Sequence, residues 1–264
     1  MSTLAKSFQS NQTNLIPYLV AGYPSLEVTI DLIHLLAKEG VSAIELGVPF
    51  SDPIADGPTI QLAAEKALEK GVTLNDVFSI ALTVREQGNN VPLVLFSYYN
   101  PLLSFGLKEV AKKAAESGFA GFIVPDLPYE ESNTLSKELE QVGIALIPLV
   151  APTSEERIAQ IAATAKGFVY CVSSLGTTGV RSEFAANLDS FLKQVKSHST
   201  VPIAVGFGVS TSKQVQQLQN NADGVIVGSA LVKRIMDFEE SLCDEKKKQG
   251  ALNHIREFVK ELFS

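Results

Sequence analysis

Eight short β-rich runs, most followed by a longer stretch of helical periodicity, set the tightest limit on what this chain can fold into. The expected strands are 15–21, 42–47, 92–97, 121–124, 145–150, 167–173, 202–206 and 224–227. Expected helices fall between them at 26–38, 59–70, 74–87, 107–117, 130–141, 154–165, 188–197 and 212–220. In the first of these, Leu26, Ile30, Ile33 and Ala37 recur at a spacing near 3.6 and share a face. Gly40, Gly71, Gly88, Gly118 and Gly143 stand where the chain must leave a helix, a position that favours the left-handed conformation. Eight βα units without a Pro/Gly/Ser-rich linker predict one α/β domain over 1–264, a closed parallel (β/α)₈ TIM barrel. A doubly wound open sheet is the alternative. A further helix at 3–9, ahead of the first strand, is expected to cap the bottom of the barrel.

In a barrel of this kind the chemistry sits at the C-terminal ends of the strands and in the loops after them. The segment Ile44-Glu45-Leu46-Gly47-Val48-Pro49-Phe50-Ser51-Asp52-Pro53-Ile54-Ala55-Asp56-Gly57-Pro58 lies at such an end. Strand alternation puts Ala43, Glu45 and Gly47 on one face and Ile44 and Leu46 on the other. The bulky pair suits the helix layer, so Glu45 points into the barrel. Burial there raises the pKa of a carboxyl group from its usual value of about 4.3 towards neutrality, the range useful for proton transfer. A Glu held in the core by hydrogen bonds is the purely structural alternative. Asp56 precedes Gly57-Pro58 and an expected helix, so it is either a site carboxylate or a helix cap. The rest of the loop is rich in proline and apolar residues, as suits a segment that folds over a ligand and excludes water.

Glycines recur after the last strands, in Gly176-Thr177-Thr178-Gly179, Gly206-Phe207-Gly208 and Gly228-Ser229. The final two loops of a barrel, with a helix N-terminus, commonly bind phosphate through backbone N–H groups. Such a site lets a chain of net charge −7 hold an anion without an arginine cluster. That same charge disfavours nucleic acid as a partner, and the basic run Lys246–Lys248 reads as a solvated face. His34, His198 and His254 all fall in helical stretches, so no histidine metal site or triad is expected. No lysine occupies a strand tip, which disfavours Schiff-base chemistry. Cys171 and Cys243 are far apart, and the first fourteen residues lack an apolar signal core, which together predict a cytoplasmic protein. What remains is acid–base work by carboxylates on a small phosphorylated molecule.

With these residues assembled, the chain closely resembles the tryptophan synthase α-subunit family over essentially its full length. The segment from Ile44 to Gly57 fits the family's diagnostic pattern at every defined position. Pro17-Tyr18, Tyr98-Tyr99-Asn100-Pro101 and Pro125-Asp126-Leu127-Pro128 match as well. The resemblance implies a lyase that splits indole-3-glycerol phosphate into indole and glyceraldehyde 3-phosphate. It implies Glu45 as the principal acid/base and Asp56 as the group that meets the indole N–H. Tyr18, Phe96 and Tyr170 would line the indole pocket, although on local grounds alone these aromatics could be core only. Phosphate binding carries over to Gly179, Gly208, Gly228 and Ser229, and Thr178 matches a threonine that helps closure over substrate. Tyr18 and Phe96 depart from the Phe and Leu of other members. The resemblance implies no cofactor or metal in this chain. It does imply a β-subunit partner that carries pyridoxal phosphate, in an αββα assembly, docked near Asp52, Pro53 and the segment after the third strand.

Overall fold

The computed structural model describes residues 3–8, 14–172, 181–206 and 208–263, with the backbone alone for 181–187 and for Glu155. Its strands are β1 (Leu15–Val20), β2 (Ile44–Gly47), β3 (Leu93–Phe96), β4 (Phe119–Ile123), β5 (Ala145–Leu146), β6 (Leu149–Val150), β7 (Val169–Val172), β8 (Ile203–Gly206) and β9 (Gly224–Val227). Val, Ile and Leu dominate them and are buried on both faces, as a parallel sheet clothed in helices requires. Every pairing is parallel, in the order β5-β4-β3-β2-β1-β9-β8-β7-β6.

The ends of that order meet. β5 and β6 are two halves of the expected fifth strand, divided at Ile147-Pro148. Proline has no N–H to give a ladder, and the strand changes partner there. β5 pairs with β4 and β6 with β7. The Ile147 N–H donates to the Phe122 carbonyl (2.8 Å), and the Tyr170 N–H to the Pro148 carbonyl (3.0 Å). The ring is closed.

Inside it, Ile16, Ala43, Val94, Ile123, Ile147, Phe168, Ala204 and Ile226 form one buried cluster, separate from the larger layer between sheet and helices. Leu4, fully buried, belongs to the inner cluster and plugs the bottom. The expected N-terminal helix is a single turn, Thr3–Lys6, and Gln9 lies outside the described residues.

Most helices fall where periodicity puts them, and the five glycines expected to end helices all have φ between 77° and 83°. Several details differ. The first helix, Leu26–Lys38, buries Val28, Leu32, Ile33, Leu35 and Leu36, while Leu26 is exposed. It packs on β1 and on two helices at once, so its buried stripe is broader than the expected face and rotated from it. The expected helix at 154–165 begins as 3₁₀ turns over Pro152–Arg157 and becomes α-helical only over Ile158–Thr164. The helix expected at 188–197 spans Arg181–His198. Short helices at Tyr99–Phe105 and Ser229–Asp237 have no counterpart among the expected ones. Lys248 pairs with Glu27 (2.8 Å) and Asp31, so part of the basic run ties the C-terminal helix Lys248–Phe263 to Leu26–Lys38. Among the described residues no helix is long and apolar enough to cross a membrane.

Candidate active site

Glu45 points where alternation places it. Its neighbours Ile44 and Leu46 are fully buried in the helix-facing layer, and Ala43 lies in the inner cluster. Only 1 % of Glu45 is exposed, and its Oε1 has no hydrogen-bond partner among the described residues. Stranding a buried polar atom in this way costs about 1–3 kcal/mol. Burial pushes the Glu45 carboxyl well above the usual carboxylate range, so its neutral form is favoured. The missing partner argues against a structural Glu locked in a core network.

Two aromatic rings cover this acid, and two glycines make room for them. Tyr18 is the cross-strand partner of Glu45, and Gly47 that of Phe96. A Cβ on Gly47 would lie 2.1 Å from the Tyr18 hydroxyl oxygen, so only glycine admits the ring there. A Cβ on Gly206, at the end of β8, would lie 2.6 Å from the Tyr170 hydroxyl. Phe96 meets Tyr18 edge to face, with centroids 5.4 Å apart at 83°, a favourable aromatic geometry. Tyr18, Phe96 and Tyr170 thus stand together at the upper rim of the barrel, with Glu45 among them.

Asp56 reaches the same region from the loop after β2. The residue before the helix Pro58–Glu69 is Gly57, and no side chain caps that helix. The Asp56 carboxylate is used otherwise: it accepts a hydrogen bond from the Tyr98 hydroxyl (2.9 Å). The same hydroxyl accepts from the Ala55 N–H (2.9 Å), and the Phe50 ring lies 5.2 Å from that of Tyr98. Tyr98 therefore straps the loop to the barrel. Burial raises the pKa of Asp56, while the bond from Tyr98 works in the opposite direction. Asp52 is exposed and bonded to Ser51, apart from this cluster. Ile54, at the tip of the loop, is 82 % exposed.

At the far strands, Gly208 has φ +61°, and Gly228 precedes the helix Ser229–Asp237 with no side chain capping it. The N–H groups at the start of such a helix are the kind of donors that bind an anion. Gly228 also lies close to the site: a Cβ there would sit 3.7 Å from Tyr18 and from Ile60. Thr178 and Gly179 lie outside the described residues. No group of three or more His, Cys, Asp or Glu side chains that could hold a metal occurs among the described residues. A groove of about 740 Å³ opens elsewhere, between helices Asn133–Gln141 and Ile158–Thr164, and none of Glu45, Asp56, Tyr18 or Gly228 lines it.

A sealed acid on β2, a second acid on the following loop and the start of a helix after β9 lie at the same end of the barrel, at the C-terminal ends of its strands. Residues 4–262 match the family described as tryptophan synthase alpha chain. This chain belongs to that family. The tryptophan synthase alpha chain of Halalkalibacterium halodurans is 46 % identical over 264 residues, covering 100 % of both chains. That of a Geobacillus species is 48 % identical over 247 residues, covering 94 % of each. Among solved structures, the Legionella pneumophila tryptophan synthase subunit alpha superposes with a TM-score of 0.85 at 35 % identity, covering 98 % of this chain and 99 % of the other. The Campylobacter jejuni subunit alpha gives 0.84 at 38 %, covering 98 % of each.

In this tryptophan synthase α chain, two features of the site do not follow from the sequence motifs. Tyr98 stands in the sequence only as part of a matching motif, because its bond to Asp56 spans 42 residues. By sequence Gly206 belongs with the phosphate-loop glycines, and Gly47 shows no role beyond its face. Gly47 had a usable signal: it stands two residues after Glu45, on the same inward face, at a strand end.

Proposed function

We propose that this chain cleaves indole-3-glycerol phosphate to indole and glyceraldehyde 3-phosphate, the indole passing to a β subunit for tryptophan synthesis. The observation that carries the assignment of roles is Glu45, sealed in the barrel with its Oε1 unpartnered among the described residues. Its neutral carboxyl group delivers a proton to indole C3. Positive charge then develops on the ring nitrogen, where the Asp56 carboxylate stabilises it by preorganised charge. The Glu45 carboxylate next takes the glycerol hydroxyl proton as the carbon–carbon bond breaks. The bond's electron pair returns to the ring, the former carbinol carbon leaves as the aldehyde, and Glu45 is neutral again. Tyr18, Phe96 and Tyr170 hold the indole, and dry aromatic walls strengthen both electrostatic steps. Phosphate is held by Gly179, Gly208, Gly228 and Ser229, with Thr178 assisting closure.

The chain works as a single barrel domain in the cytoplasm and needs no cofactor or metal of its own. Pyridoxal phosphate belongs to the β subunit, with which it forms an α₂β₂ tetramer. The exposure of Ile54, beside Asp52 and Pro53 in the loop after β2, and of Leu103, in the helix Tyr99–Phe105 after β3, supports a docking face at this end of the barrel.

The test is an indole-release assay on the purified chain, alone and with a cognate β subunit. Glu45→Gln should lower turnover by about 10³-fold while substrate binding stays measurable. Near-normal turnover in that variant would remove Glu45 from its role, and no indole from the parent chain in either arm would overturn the assignment.

A further inference from the structure

Asp126, in the turn after β4, bonds the residue next to the tyrosine that holds Asp56. The turn is a stiff one. The Leu127 N–H donates to the Val124 carbonyl (3.2 Å), and Pro125 stands at the second position, where proline is favoured. From there the half-buried Asp126 carboxylate reaches the helix Tyr99–Phe105 and accepts the Tyr99 N–H with both oxygens (2.9 and 3.2 Å). That N–H is one of the donors a helix start leaves unsatisfied. Tyr98, the residue before the helix, gives it no side-chain cap. The cap comes instead from another loop, 27 residues further along the chain.

The Tyr99 N–H belongs to the peptide unit that leaves Tyr98. The carbonyl of the same unit accepts from the Ser97 hydroxyl (3.0 Å), and the Ser97 N–H donates to the Ile123 carbonyl at the end of β4 (3.0 Å). Both poles of the unit are held, which fixes ψ of Tyr98 and steadies the direction of its side chain. At the far end of that buried side chain, the hydroxyl donates to Asp56 and accepts from the Ala55 N–H, each at 2.9 Å. A line of hydrogen bonds therefore runs from the β4 turn, through Tyr98, to the loop after β2.

We propose that Asp126 is a positioning residue: by fixing the Tyr98–Tyr99 peptide it aims the Tyr98 hydroxyl at Asp56. Asp126 acts through Tyr98 and touches no reacting atom. The inference rests on the role given to Asp56 under Proposed function. Among the described residues, the titratable groups around Asp56 are Tyr98 after β3, Tyr18 from β1 and Tyr170 from β7. Tyr18 and Tyr170 also face Glu45, and Asp126 faces Tyr98.

The test is the pH profile of kcat/KM for indole release in the full-length chain, parent against Asp126→Ala, with thermal melting beside it. Two effects of opposite sign are separable. A Tyr98 hydroxyl that no longer meets Asp56 stops lowering the pKa of that carboxyl group, so the acid limb moves to higher pH. Loss of a neighbouring negative charge alone would lower that pKa and move the limb to lower pH. The upward move is expected, with about a fivefold loss on the acid side of the optimum. Asp126→Asn loses the charge but keeps an acceptor oxygen, and should restore the limb. In a Tyr98→Phe background Asp126→Ala should move the limb no further, because residues that act through one another are not additive. If Asp126→Ala melts below the assay temperature, Asp126→Ser takes its place, a polar turn residue without the reach of the carboxylate. An acid limb that stays put or falls in the Ala or Ser variant would overturn the proposal. So would a further shift in the double variant, or an Asn variant that behaves like Ala. Parent-like turnover in Asp56→Asn would instead bring down the role of Asp56, and this inference with it.

Discussion

The two ends of the barrel bury polar groups under opposite rules. At the bottom, Asn14 and Ser42 are buried and fully engaged. The Asn14 amide donates to the Asp223 carbonyl (2.8 Å) and accepts from the Ser42 hydroxyl (2.9 Å). The Asp223 carboxylate in turn accepts from the Ile203 N–H (2.9 Å) and pairs with Lys196 (2.8 Å). At the top, Glu45 is buried more deeply than either, and one of its oxygens has no partner among the described residues. Satisfied networks rigidify, whereas an unsatisfied group is a cost the fold bears for another reason. Bottom polarity should therefore register in stability, and top polarity in turnover.

The contrast can be strained at both ends. Gly47→Ala places a Cβ where the Tyr18 hydroxyl now lies and displaces the ring. It should reduce kcat/KM by about 100-fold, read in the indole-release assay, and a wild-type rate would mean that the ring is not held where the pocket needs it. Tyr98→Phe removes the bond that opposes the upward push of burial on Asp56. Asp56 acts as an anion, so its raised pKa should carry the acid limb of kcat/KM to higher pH, with about a tenfold loss at the acid side of the optimum. An unmoved limb would make Tyr98 a loop strap and nothing more. Asn14→Ala is the counterpart at the bottom. It should cost about 2 kcal/mol in urea denaturation and leave kcat/KM within about twofold of the parent, since the network lies at the strands' opposite ends. A large loss of turnover without loss of stability would erase the distinction between the ends.

Local rules carried most of the architecture and one half of the site. Strand alternation was enough to aim Glu45 inward, because its neighbours Ile44 and Leu46 had no other place to go. The strand and helix order needed only periodicity and the glycines that end helices. The division of the fifth strand was visible in principle, since Pro148 breaks its run, but its exchange of partners depends on closure of the ring. The other half of the site depends on register and long-range contact. That Tyr98 rather than a helix N-terminus claims Asp56, and that Tyr18 needs Gly47 to be bare, follow only once β1, β2 and β3 are side by side. The 3₁₀ turns at Pro152–Arg157 show the same limit on a smaller scale: composition marked a helix there but not its winding. Thr178 and Gly179 lie outside the described residues and stand on the resemblance alone.

The divided fifth strand has a bearing on Glu45, three strands away. β5 and β6 each hold their neighbour by two residues, the shortest pairings in the ring. The barrel is thus a belt with its buckle there, and Ile147, part of the inner cluster, sits in the clasp. Unfastened, the belt is an open sheet, water reaches the inner face, and the desolvation that strengthens Glu45's hold on its proton is gone. The proton affinity of the acid is in this sense a property of the whole ring, set as much by how the wall is latched as by the side chains that touch it.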